Sequence, residues 1–184
     1  MSKIIETVPN FSEGRRVEVI REIVEAVGKT PGARILDISS DADHNRSVLT
    51  LAGNEEQVRA SVLKLFEAAI PRIDLRNHRG EHPRLGAVDV VPFVPVKEAT
   101  MADCVRLARS VGEEIASRFG VPVYLYEEAA TAEHRRNLAE IRKGEFEGLP
   151  RKMKDPLWTP DFGPAEPHPS AGASVVGARE FLIA

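Results

Sequence analysis

An α+β fold is what this sequence predicts, and three observations carry that expectation. Over its first half, short β-branched runs and helical patterns follow one another as strand, helix, strand, strand, helix, strand. Each helical pattern is apolar along one side only, so its helix has a single face to bury. Glycine and proline stand at the joins, where chain direction must change.

The elements follow in order. KIIETV (3–8) is short and β-branched, and NFSEG then leads into a pattern with Val17, Ile20, Val24 and Val27 on one side: strand, turn, helix. KTPG (29–32) stops the helix, because Pro31 has no amide hydrogen to donate and Gly32 adopts conformations closed to other residues. ARILDIS (33–39) and RSVLTLAG (46–53), joined by the polar SDADHN, read as an antiparallel pair. Asn54 is placed to cap a helix striped by Val58, Val62, Leu65 and Ala69, which Pro71 ends. LGAVDVVPFVPV (85–96) is apolar, but Pro92 and Pro95 argue for an edge or a bulge rather than a plain central strand.

The order βαββαβ describes a ferredoxin-like, split-βαβ core with both helices on one face. Thr100 and Asp103 then form a capping signal for a helix bearing Met101, Val105, Ala108, Ile115 and Phe119. VPVYLYEEA (121–129) is a fifth strand, a further helix is expected from about Ala132 to Arg142, and GASVVGAREFLIA (172–184) supplies a sixth strand. The expectation is a ferredoxin-like βαββαβ core extended to a mixed sheet of about six strands, with helices on one face. Polar positions such as Thr7, Thr50, Asp89 and Tyr124 leave two uses open for the second face: contact with water, or the lining of a site. Six of the 13 prolines lie between Pro150 and Pro169, a density that predicts a long irregular loop over 150–170, with Trp158 packed inside it.

Residues 1–184 read as one domain of ordinary soluble composition, 42% apolar and 29% charged. A net charge of −3 provides no basic field for nucleic acid. A lone Cys104 forms no intrachain disulfide, and no Cys/His spacing suggests a metal site. The N-terminus turns polar too early for a signal peptide, and no apolar run reaches the roughly 20 residues of a membrane span. The expected setting is cytoplasmic.

The stretch RNHRGEHPRLGAVD (76–89) concentrates ionisable chemistry before a strand. Gly80 and Pro83 bracket His82 and exclude a helix, so His78 and His82 do not share a metal-binding face. Pro83 also holds His82 extended, on a rigid support. Two readings stand: a surface imidazole among charges, or an acid/base group working near neutrality. His78 and Arg79 read as solvated neighbours. Thr7 and the turn Asn10 to Gly14 either present helix amides to an anion or form a plain turn motif. Trp158 either stacks on a flat ring or is buried in its own loop, and Cys104 reads as core.

VPNFSEG (8–14), NRSVLT (45–50), GEHPRLGAVDVVPFVPV (80–96), VPVYLY (121–126), PDFGP (160–164) and GASVVGAREFLIA (172–184) together resemble the N-terminal subdomain of the glutamate formimidoyltransferase family, from Lys3 to Ala184. The resemblance implies transfer of a formimino group between N-formimino-L-glutamate and tetrahydrofolate, in histidine breakdown, with His82 as catalytic base and tetrahydrofolate as co-substrate. It also implies folate contacts at Gly163, Pro164, Pro169, Ser170 and Gly172. Ala165, Glu166, Pro167, His168 and Ala171 lie in the same loop at positions that vary in the family pattern or depart from it, and no contact is implied for them. Because glutamate and the folate tail carry carboxylates, Arg46 and Arg84 are the expected clamps, against the alternative of structural salt bridges. In that family a second subdomain follows FLIA, so the cleft is expected to be completed by a homo-oligomer or by a separate second-subdomain chain. The competing expectation is a non-catalytic folate-binding or assembly module.

Overall fold

The computed structural model describes residues 3–182. Its strands are β1 (Ile4–Thr7), β2 (Asn10–Phe11), β3 (Arg34–Asp41), β4 (Arg46–Gly53), β5 (Val88–Lys97), β6 (Val123–Glu127) and β7 (Ser174–Ala178). Its α-helices are α1 (Val17–Gly28), α2 (Glu55–Ala69), α3 (Met101–Phe119), α4 (Leu138–Arg142) and α5 (Glu145–Lys152). All seven strands form one mixed sheet. Across it run β3, β4, the pair β1 and β2 in line, β5, β7 and β6. The first four positions are antiparallel, as a split βαβ unit requires, and β7 lies parallel between β5 and β6. Ile183 and Ala184, at the end of the last expected strand, lie outside the described residues.

The segment NFSEG, expected as a turn, opens with the short strand β2 after a break at Val8 and Pro9, which makes six strands into seven. That interruption explains the prolines of β5, which is an internal strand and not an edge. Thr7 faces Phe93 and Asn10 faces Val90, so Pro92 lies opposite the break, where no continuous ladder needs its amide. Pro95 adjoins a bulge: Ile5 is opposite Pro95 while Ile4 is opposite Lys97. The sequence expectation was right about the bulge and wrong about the edge.

Helices α1, α2 and α3 cover one face. Asn54 and Gln57 form a reciprocal capping box at the start of α2, and Thr100 and Asp103 do the same for α3. Such a cap satisfies amides that a helix leaves unpaired, at a gain of about 1 kcal/mol. Beneath them Ile5, Leu51, Phe93, Leu65 and Phe66 are almost wholly buried, each contributing roughly 1.5–3 kcal/mol of transfer free energy. Val17, expected in the α1 stripe, is 71% exposed; Val27 is buried as expected, and Ile23 joins it. Thr7, expected on the second face, is in register with the core residues Leu51 and Phe93, and its buried hydroxyl has no hydrogen-bond partner among the described residues.

The second face is divided. Over β5, β7 and β6 it is covered by a second apolar cluster in which Val90, Tyr124, Tyr126 and Val175 meet Ile141 of α4 and Leu149 of α5. The helix expected from Ala132 to Arg142 is a 3₁₀ turn at Glu133–Arg135 followed by the short α4. The proline-rich stretch begins as helix, contrary to expectation, because α5 continues through Pro150 to Lys152. Burial of Leu149 and Met153 in the second cluster compensates for the amide that Pro150 lacks. The rest holds a 3₁₀ turn at Pro156–Trp158, is otherwise irregular, and is pinned: Arg135 pairs with Asp161 at 3.0 Å and donates to the carbonyls of Leu157 and Thr159. Trp158 is half-buried, edge-on to Tyr124 and His134 with the Lys152 ammonium 3.9 Å from its ring centre, so its indole is occupied within the fold.

Candidate functional site

Three loops meet at the end of the sheet where β5, β7 and β6 begin. They are the turn after β2, the β3–β4 connection, and the long segment before β5. Asn45, with φ of 51°, ties them together: its side chain accepts from the Gly14 amide at 2.9 Å and donates to the Arg79 carbonyl at 2.9 Å. The amides of Glu81 and His82 donate to the carbonyls of Asp43 and His44. Gly80 permits this approach, since a Cβ there would stand 2.4 Å from the His44 carbonyl oxygen. The motif's glycine is thus required by contact between loops.

His82 is not a surface imidazole, being only 2% exposed. Its Nε2 lies 3.2 Å from Oδ2 of Asp89, a fully buried carboxylate. Asp89 occupies a bulge in β5, because Phe11 is opposite Val88 while the adjacent Asn10 is opposite Val90. Bulges re-aim side chains, and this one brings an acid under the histidine. The other Asp89 oxygen accepts from the amides of Leu85, at 2.6 Å, and Gly86, at 3.3 Å. Arg142, from the last turn of α4, donates to Oδ2 through Nε at 3.0 Å and through Nη2. Burial pushes the Asp89 carboxyl up, but the His82 hydrogen bond, the Arg142 and His82 charges and the Leu85 amide together hold it below its ordinary value. It is therefore an anion at neutral pH.

Among the expected clamps, Arg84 is buried and engaged. Its Nη2 and Nη1 bind the two oxygens of Glu147 at 2.7 and 2.9 Å, Nη1 also meets Glu145 at 2.8 Å, and Nε donates to His78 Nδ1 at 3.1 Å. His78 in turn lies 2.8 Å from the Asn45 carbonyl through Nε2. The expectation that His78 is solvated is overturned: it is 6% exposed, and burial, aided by the Arg84 and His82 charges, pushes its pKa down. A neutral ring with hydrogen on Nε2 satisfies both contacts. Arg46 is different. It is half-buried, and its buried Nε has no hydrogen-bond partner among the described residues. It stands two residues from His44, whose carbonyl accepts from the His82 amide.

The turn after β2 takes its own anion. Glu13, 3% exposed, accepts from the amides of Arg15 and Arg16 at 2.9 Å, which supports the turn-motif reading there. The residues implied for folate are at the same end of the sheet but in unequal settings. Gly163, with φ of 90°, and Pro164 are exposed above Pro122. Pro169 is exposed, and half-buried Ser170 accepts from the Leu75 amide at 2.8 Å. Gly172 is buried with φ of 69°, and a Cβ there would lie 2.0 Å from the Leu85 carbonyl oxygen, so it holds the loop against the His82 segment. His168, in the same loop, accepts from the Ser170 and Ala171 amides and shapes this turn. An open cleft of about 490 Å³ is lined by Pro83, Leu138, Ala139, Arg142 and Glu145; it reaches the neighbours of His82 and Asp89 but not that pair itself.

Sequence reasoning placed Asp89 only among the polar positions of the second face without connecting it to His82, and it passed over Arg142. An acid inside the apolar run GAVDVV was the available signal for the first; nothing local marked the second.

Residues 4–179 match the family model described as formiminotransferase domain, N-terminal subdomain. A glutamate formimidoyltransferase of Streptococcus pyogenes serotype M1 is 47% identical over 184 residues, covering 100% of this chain and 62% of that protein. The formimidoyltransferase-cyclodeaminase of Sus scrofa is 50% identical over 184 residues, covering 100% of this chain and 34% of that protein. A glutamate formimidoyltransferase of Thermoplasma acidophilum is 45% identical over 183 residues, covering 98% and 60% respectively. The chain therefore spans less than two thirds of the length of each of these relatives. The six motifs, the loop cluster that holds His82 and the match over residues 4–179 lead to one assignment: the chain belongs to the formiminotransferase family, as its N-terminal subdomain.

Proposed function

We propose that this chain is the base-bearing part of a glutamate formimidoyltransferase, moving a formimino group between N-formimino-L-glutamate and tetrahydrofolate in histidine breakdown. The observation that carries the reading is His82, held by a buried carboxylate at the centre of the GEHPR motif. Relatives bearing that name match essentially the whole chain. Tetrahydrofolate is the co-substrate and supplies the accepting amine, in a cytoplasmic setting. The exposed Gly163, Pro164 and Pro169 with half-buried Ser170 fit a ligand-facing loop, while Gly172 acts from beneath. A second subdomain, or a second copy, closes over this end of the sheet.

The chemistry suits the residues. As the folate nitrogen bonds to the formimino carbon, the adduct must lose a proton from the attacking nitrogen. His82 takes it, and returns it to the glutamate nitrogen as the old carbon–nitrogen bond breaks. Acid/base help of this kind is worth roughly 10²–10⁴ in rate. Arg46, with unspent donors, is the stronger clamp for a substrate carboxylate; Arg84 binds a substrate only by exchanging Glu147 and Glu145.

The test uses the purified full-length enzyme with formiminoglutamate and tetrahydrofolate. His82→Ala is expected to lower kcat by about 10²–10⁴ while folate binding persists. Arg46→Gln is expected to raise KM for formiminoglutamate with kcat little changed. Wild-type protein that binds folate without transferring the formimino group would overturn the assignment, and an active His82→Ala would overturn the base.

A further inference from the structure

We infer that His82 works through Nδ1 and that Asp89, held in turn by Arg142, sets that choice of nitrogen. The inference rests on the formiminotransferase reading for its functional meaning, though not for its test. It turns on the tautomer. Asp89 accepts from Leu85, Gly86, Arg142 and His82 together, and an ionised carboxylate only accepts. The His82 nitrogen facing it must therefore carry the hydrogen. In the neutral ring that leaves the lone pair on Nδ1, for which no hydrogen-bond partner exists among the described residues. A base needs such an unspent lone pair.

The carboxylate is fixed through both oxygens: Leu85 and Gly86 amides hold Oδ1, and Oδ2 is shared between His82 and two nitrogens of the Arg142 guanidinium. Arg142 comes from α4, so the cover on the second face of the sheet is a working part of the site. Asp89 and Arg142 are positioning residues; His82 alone meets the reacting atoms.

The test reads the imidazole directly. Nitrogen NMR of His82 in the intact protein reports the tautomer of the neutral ring without turnover, which separates failure of this inference from failure of the proposed activity. The expected neutral ring carries hydrogen on Nε2. In Asp89→Asn the Leu85 and Gly86 amides hold the side-chain oxygen, so the NH2 faces His82 and the hydrogen is expected to move to Nδ1. In that variant kcat is expected to fall by about 10²-fold or more with folate binding retained. Hydrogen on Nδ1 in the wild type, or hydrogen kept on Nε2 with kcat unchanged in Asp89→Asn, would overturn the inference. Should Asp89→Asn fail to fold, the wild-type tautomer decides it alone.

Discussion

Two arginines that look alike in the sequence have unlike environments. Arg84 is 4% exposed and commits its guanidinium to Glu147, Glu145 and His78, whereas Arg46 retains an unpartnered buried Nε. Removing Arg84 leaves His78 without its donor and leaves two carboxylates unpaired. Those carboxylates are about half exposed, so water screens much of the loss. Arg84→Ala is expected to cost about 1–3 kcal/mol, less than a fully buried pair would. A urea unfolding midpoint unchanged from wild type would contradict this. Arg84 was an expected clamp because a guanidinium suits the substrate carboxylates. Its actual carboxylate partners lie 61 and 63 positions away, a distance at which local sequence carries no information. Asp89 was half-legible for the opposite reason: an acid in an apolar run is conspicuous, but the bulge that aims it depends on pairing with Phe11 and Asn10.

The long helices were legible because their signals are local. Asn54 and Gln57 are three positions apart, and each satisfies an amide that the other's turn leaves open. Asn54→Ala is expected to cost about 1 kcal/mol, seen as a lower denaturation midpoint with unchanged m-value. Retained stability would mean that the Gln57 side chain or water replaces the cap. Where stability comes from tertiary packing instead, local rules misled. Pro150 is a helix breaker by every local criterion, yet α5 passes through it because Leu149 and Met153 are buried. Pro92 tells the same story for strands, since its missing amide matters only if a neighbour asks for it, and opposite it the first strand is broken.

The sheet carries two cores, and the second one links stability to the site. Leu149 is 0% exposed in that cluster and shares it with Ile141, next to Arg142 on α4. Leu149→Ala is expected to cost roughly 2–5 kcal/mol, with thermal unfolding as the measure. It is also expected to loosen the Arg142 contact with Asp89, because α4 has only five residues and depends on that packing for its place. An unfolding temperature lowered by less than a degree or two would show that the second cluster is not a core. The βαββαβ order, the capped helices, His82 in its rigid motif and the family follow from the amino-acid sequence read alone, because periodicity, capping and short motifs are encoded within a few residues of one another. Tertiary structure decided that β5 is internal, that α4 and α5 cover half of the second face, that Glu147 occupies Arg84, and that Asp89 and Arg142 support His82. Each of these depends on groups far apart in the chain that meet only when the sheet has formed.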